Sequence, residues 1–78
     1  MLKKDLYRLE EDKTLAEIAD FLEQVAGDLR KGEINMSTGE QSVSLTLPET
    51  VILDIDVDQR EKEEVTATSV QIELKWAR

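Results

Sequence analysis

The stretch that decides the fold is residues 14–32, which reads TLAEIADFLEQVAGDLRKG. Its larger apolar side chains recur at steps of three and four, the spacing that places them on one face of an α-helix. These residues are Leu15, Ile18, Leu22, Val25 and Leu29. Thr14 and Glu17 have the spacing of a capping box, and Gly32 suits the end of a helix. The sequence therefore predicts a helix from about Leu15 to Lys31, with an apolar stripe that needs a partner surface.

After Gly32 the apolar period changes to alternation, which is typical of β-strands with one apolar face. The alternating residues form four groups: Ile34 and Met36; Val43, Leu45 and Leu47; Val51, Leu53, Ile55 and Val57; and Val70, Ile72, Leu74 and Trp76. Residues 37–40 have turn chemistry, and Pro48 breaks a ladder because proline has no N–H. The charged residues 59–64 predict a loop, and the phase of Thr68 indicates either a bulge there or a longer loop.

These elements predict a two-layer α+β fold, in which one amphipathic helix packs on an antiparallel meander of about four strands. Residues 4–11 contain Leu6, Tyr7 and Leu9 among charges, and fit either an extra N-terminal edge strand or an ordered arm. A chain of 78 residues supports a single domain, residues 1–78. Trp76 keeps the phase of the apolar positions before it, so we expect it to be a structural anchor at the edge of the helix–sheet interface.

The composition argues against several classes of function. The chain has no cysteine and no histidine, so it lacks disulfides, thiolate metal ligands and the commonest general base. Its formal charge of −8 opposes binding to nucleic acid and to anionic membranes. No apolar run reaches the length of a membrane span or a secretory signal. We therefore expect a soluble, cytoplasmic protein that is not an enzyme and has no cofactor.

The sharpest candidate site is residues 54–58, which read DIDVD. Three alternating carboxylates resemble the start of a calcium-binding loop, but such a loop needs glycine at its sixth position and glutamate at its twelfth. Gln59 and Val65 occupy those positions here. A strand would instead place the three carboxylates on one face, about 6–7 Å apart. This pattern favours a solvated strand face, with a weak divalent-cation site as the alternative.

A family resemblance rests on the order of these elements. The capped helix, the amphipathic strands and the closing strand VQIELKW at residues 70–76 resemble the amphi-Trp domain family of small prokaryotic proteins. The resemblance extends over nearly the whole chain, including Leu6 and Tyr7 before the helix. It implies the same α+β fold, and it implies no catalytic or ligand-binding residues.

The leading functional hypothesis is a non-enzymatic interaction or accessory domain that presents an acidic sheet face to a basic protein partner. The residues of this candidate face are Asp54, Asp56, Asp58 and Glu73. A homodimer through the exposed edge of the closing strand is a second form of the same hypothesis. The alternative from another class is a weak divalent-cation-binding protein that uses Asp54, Asp56 and Asp58.

Overall fold

The computed structural model describes residues 2–77, and this part of the chain forms a helix followed by four strands. The elements are α1 (Leu15–Arg30), β1 (Glu33–Ser37), β2 (Ser42–Thr46), β3 (Ile52–Lys62) and β4 (Val65–Lys75). The predicted α+β class is thereby confirmed. The chain divides into two compact units, Met1–Leu47 and Pro48–Arg78, each of which is described by itself below.

Helix α1 begins at the predicted capping box. The backbone N–H of Thr14 donates to Oε1 of Glu17 at 2.9 Å, and the N–H of Glu17 donates to Oγ1 of Thr14 at 3.1 Å. The helix ends at Arg30, and Gly32 follows with φ +79°, a conformation that glycine adopts without a steric penalty. Both predicted ends are correct to within one residue. Within residues 2–77, no helix combines the length and apolar character needed to cross a membrane.

The first hairpin pairs β1 with β2 in antiparallel register, with Ile34 opposite Leu45 and Met36 opposite Val43. Ile34 is buried, and the other three side chains are half-buried. Helix α1 contacts β1. In addition, the carboxylate of Asp28 in the last helical turn accepts a hydrogen bond from the N–H of Asn35 at 3.1 Å. The small core of the first unit therefore lies around Ile34.

The segment before the helix is an ordered arm. Residues 2–14 form neither helix nor strand, so the extra N-terminal edge strand is absent from the part of the chain that the structure describes. The side chain of Gln41 instead holds the arm, because its Oε1 accepts from the N–H of Arg8 at 3.2 Å and its Nε2 donates to the carbonyl of Arg8 at 3.1 Å. The amide side chain of Gln41 thus forms hydrogen bonds with both the N–H and the C=O of Arg8, so the arm is held without pairing to a strand.

The second hairpin is longer than the sequence predicted. Strands β3 and β4 have 11 residues each. They pair without interruption, from Ile52 opposite Lys75 at one end to Lys62 opposite Val65 at the other. The predicted loop at residues 59–64 is wrong, since only Glu63 and Glu64 form the turn, and the bulge at Thr68 is absent. The side chains of residues 59–62 are exposed, so their charges carry no burial cost that would oppose strand formation.

The four strands are antiparallel, as predicted, and they pair as two separate hairpins instead of one continuous meander. Among the described residues the sheet orders are β1-β2 and β3-β4. Residues 47–51 join the two hairpins and include Pro48, which cannot donate a ladder hydrogen bond. We call the β3–β4 hairpin the ribbon.

Trp76 follows the last residue of β4. It is half-buried, as is Leu74, the apolar residue two positions before it. Leu74 and Ile72 share one face of the ribbon, and Trp76 continues their spacing in the sequence just beyond the strand. Its role as the anchor of the fold stays a prediction.

Candidate interaction surface

The ribbon segregates its side chains by chemistry. In an antiparallel pair, residues directly opposite each other point to the same side of the sheet. One side, which we call the apolar face, carries Leu53, Ile55 and Val57 opposite Leu74, Ile72 and Val70. The other side carries Asp54, Asp56 and Asp58 opposite Glu73, Gln71 and Ser69. The four acidic residues singled out in the sequence therefore lie together, and we call Asp54, Asp56, Asp58 and Glu73 the acidic face.

One lysine lies among these carboxylates. Nζ of Lys75 is 3.3 Å from Oδ2 of Asp54 and 3.8 Å from Oε1 of Glu73. The side chains of Lys75 and Asp54 are about half exposed, so water screens this pair and its contribution to stability is small. The acidic face thus keeps an excess of negative charge.

The end of the acidic face nearer the turn, at Asp58, is followed by basic residues. Oδ1 of Asp58 accepts a hydrogen bond from Oγ of Ser69 at 3.2 Å. Beyond Asp58, the same side of β3 carries Arg60 and Lys62, which approach the turn. On this side of β3, negative charge is therefore concentrated at residues 54–58, and two basic residues separate it from the acidic turn at Glu63 and Glu64.

A shallow concavity of about 610 Å³ lies over the acidic end of the ribbon, lined by Asp54, Asp56, Gln71, Ile72 and Glu73. Three of these five residues are acidic, and all five residues are exposed. Attraction of a positively charged group is the chemistry that such a surface offers. This concavity is our candidate interaction surface.

The carboxylates do not converge on one point. Among residues 2–77, no group of three or more acidic side chains comes close enough together to hold a metal ion. Strand geometry explains this, because alternate residues on a strand are about 6–7 Å apart. The cation-binding alternative stays a prediction, which titration calorimetry with calcium or magnesium would test.

The apolar face of the ribbon is exposed. Ile55 and Ile72 retain 58% and 61% of their surface. The described residues of the second unit contain β3 and β4 and no helix, so this unit supplies no second layer of its own. A two-stranded ribbon is marginally stable in water unless something covers its apolar face or extends its sheet. Alternation in the sequence located this face, and we expected helix α1 to cover it as one layer of the two-layer fold. Coverage of the ribbon by α1 stays a prediction.

Sequence reasoning missed a groove of about 460 Å³ in the first unit. It is formed by the N-terminal arm, the start of α1 and the residues at the end of β1, and its apolar lining includes Tyr7, Ile18 and Phe21. Lys13 also lines it, and Nζ of Lys13 is 3.1 Å from Oε1 of Glu11. The hydrogen bond to Glu11 and the charge of Glu11 raise the pKa of Lys13 above its ordinary value. The groove depends on how the arm folds back, which no local motif indicates.

These observations define a class of protein: a small α+β chain with a capped helix and an amphipathic ribbon that leads into a tryptophan. The chain belongs to the Amphi-Trp domain family, because the family model matches residues 1–78. The resemblance seen in the sequence is thereby confirmed. Comparison with curated proteins and with solved structures found no match.

Proposed function

We propose that this chain is a non-enzymatic interaction domain whose acidic face binds a basic segment of a partner protein. The observation that supports this most is the placement of Asp54, Asp56, Asp58 and Glu73 on one side of the ribbon. Like charges on one sheet face repel each other and destabilise it. Cationic groups of a partner would offset this repulsion, so the same charges that weaken the free ribbon favour its complex.

The spacing of the carboxylates suits an extended partner segment. Alternate residues of any extended chain are about 6–7 Å apart, so lysines or arginines at every second position of a peptide would match the period of Asp54, Asp56 and Asp58. The concavity along Asp54 and Asp56 is open to solvent and offers room for such a segment. The absence of histidine and cysteine from the sequence also supports a binding role over a catalytic one.

The test is binding of a synthetic peptide in which lysine alternates with serine, measured by titration calorimetry with the full chain at low salt. We expect binding that weakens steeply as salt rises, because screening acts on exposed charges. Replacing three acids of the face (Asp54→Asn, Asp56→Asn and Asp58→Asn together) should weaken binding about tenfold or more, equivalent to at least about 1.4 kcal/mol.

The matched control changes the net charge by the same amount near the turn, with Glu61→Gln, Glu63→Gln and Glu64→Gln together. These residues lie outside the acidic face, so affinity should fall by no more than about threefold, or about 0.7 kcal/mol. Equal losses in both variants would show that only net charge matters. That result, or no binding by the unmodified chain, would contradict the proposal.

A further inference from the structure

The two outer edges of the ribbon differ in charge. Strand β3 carries six charged residues among its 11, including Asp54, Asp56 and Asp58. In β4, residues 65–72 contain neither a charge nor a proline, and only Glu73 and Lys75 are charged. Charged side chains discourage pairing along a strand edge, whereas a long uncharged edge acts as a template for another strand. The edge of β4 is therefore the one open to pairing.

The turn determines which backbone groups of β4 point outward. In a hairpin with a two-residue turn, the flanking residues, here Lys62 and Val65, exchange backbone hydrogen bonds, and such pairs alternate along the ladder. Every second residue of β4 from Thr66 to Leu74 therefore directs its N–H and C=O away from β3. Within the described residues, no strand pairs with this side of β4.

We propose that a second copy of this chain pairs antiparallel along β4, with Val70 on the two-fold axis. The resulting sheet has the order β3-β4-β4-β3. This dimer goes beyond the proposed function, because it forms through a strand edge instead of the acidic face. The two proposals can therefore fail separately.

Two conditions determine the register of the two β4 strands: the largest number of paired residues, and apolar faces that lie on the same side of the sheet. Val70 is the middle residue of β4, so a two-fold axis through it pairs all 11 residues of the strand. An axis perpendicular to the sheet keeps the apolar face of one copy beside the apolar face of the other. Ile72 then lies opposite Thr68 of the second copy, and about ten backbone hydrogen bonds form along the new ladder.

Charge repulsion favours dimer pairing through β4 over dimer pairing through β3. With Val70 on the axis, Glu73 lies opposite Ala67 of the second copy, and Lys75 lies opposite Val65, next to the acidic turn. No like charges meet. The equivalent pairing of β3 with Val57 on the axis would place Asp56 opposite Asp58 twice, and like charges directly opposite each other are destabilising.

The dimer also stabilises the ribbon, because it adds strands to a two-stranded sheet that is marginally stable alone. Three or more strands with an apolar face are the usual requirement for an independently stable sheet, and the dimer has four. The apolar faces of both copies join into one surface, to which each copy contributes Leu53, Ile55, Val57, Val70, Ile72 and Leu74.

Two cysteine variants test this geometry, since the chain has no cysteine of its own. Val70→Cys and Val57→Cys are matched, because Val70 and Val57 are opposite each other on one face and are 64% and 62% exposed. In the proposed dimer the two Cα atoms at position 70 are about 5.5 Å apart, within disulfide range. The two at position 57 are about 14 Å apart, three strand spacings, and out of range.

We expect mild oxidation at tens of micromolar protein to convert the Val70→Cys variant to a covalent dimer at least ten times faster than the Val57→Cys variant. Light scattering of the unmodified chain should give twice the monomer mass at the same concentration. Equal cross-linking rates, no cross-linking of the Val70→Cys variant, or a monomer mass for the unmodified chain would overturn the proposal. Adding the three Asp→Asn changes at positions 54, 56 and 58 should leave the cross-linking intact, which separates this result from the test of the acidic face.

Discussion

The capping box shows how much a single pair of residues determines. Thr14 and Glu17 are three positions apart, and their two reciprocal hydrogen bonds need only the local geometry of the first helical turn. The hydrogen bond from the backbone of Thr14, followed by that from its side chain, lowers the pKa of Glu17 below its ordinary value. Because the whole interaction is local, the sequence was sufficient to predict it.

This lowered pKa predicts a pH dependence of stability. Since the folded-state pKa lies below the unfolded one, the contribution of Glu17 is present above the ordinary glutamate pKa of about 4.3, and it disappears as the pH falls through the lowered pKa. The Glu17→Gln variant should therefore be less stable than the unmodified chain at pH 7, and the gap should close on acidification. Urea unfolding followed by circular dichroism measures both. The control is Glu23→Gln on the same helix, and a gap for Glu17→Gln that is unchanged near pH 3 would refute this assignment.

Asp28 illustrates a residue whose role depends on a contact outside its own helix. It lies in the last turn of α1, where the helix dipole disfavours a negative charge. Its carboxylate accepts the hydrogen bond from Asn35 in β1, seven residues further along the chain. An acid at a helix C-terminus was a signal of such a contact, but the donor could be identified only once the helix and strand were placed together.

At the scale of elements, the turn of the ribbon is the least expected feature. Glu63 and Glu64 both have positive φ, +51° and +68°, as a two-residue type I′ turn requires. Asparagine and glycine are the usual residues there, because a side chain with a Cβ is disfavoured in this conformation. Eleven continuous pairs leave only these two residues to reverse the chain, so the ladder imposes the conformation. The sequence lacked the usual turn signal and predicted a longer loop.

This strain predicts a stabilising substitution. Glu64→Gly should stabilise the protein by about 1 kcal/mol, because glycine adopts positive φ without a steric penalty. The same replacement at Glu61, inside β3, should destabilise it by about 0.5–1 kcal/mol, because glycine weakens a strand interior. Chemical denaturation of both variants gives the two free energies of unfolding. The same sign of change at both positions would contradict the assigned turn.

At the scale of the whole molecule, the dominant property is the formal charge of −8. Part of this charge is spread over the surface, and part is concentrated on the acidic face, where neighbouring carboxylates on β3 are about 6–7 Å apart. Salt screens charges at this distance, since the screening length falls from about 10 Å at 0.1 M to about 3 Å at 1 M. The charge distribution therefore influences stability as well as partner choice.

We expect the thermal midpoint of unfolding to rise by several degrees between about 0.05 M and 1 M sodium chloride, because salt screens the repulsion. For a chain of this size, an increase of about 1 kcal/mol in the free energy of unfolding raises the midpoint by about 4–8 °C. The variant with Asp54→Asn, Asp56→Asn and Asp58→Asn together should rise less, because part of the repulsion is already removed. Potassium chloride is the control for effects specific to sodium. A midpoint that falls with salt, or an equal rise in the variant, would show that repulsion on the acidic face is not a significant cost.

The sequence by itself determined the elements and their chemistry: where α1 begins and ends, which residues of each strand share a face, and that Asp54, Asp56, Asp58 and Glu73 share one. These properties depend on the 3.6-residue and two-residue periods and on contacts between near neighbours in the chain. Only the tertiary structure decided that the strands pair as two hairpins, that β3 continues to Lys62, and that Asp28 and Gln41 hold distant backbone groups. Strand pairing joins residues far apart in sequence, and alternation is compatible with more than one partner, so the backbone hydrogen bonds of the folded chain make that choice.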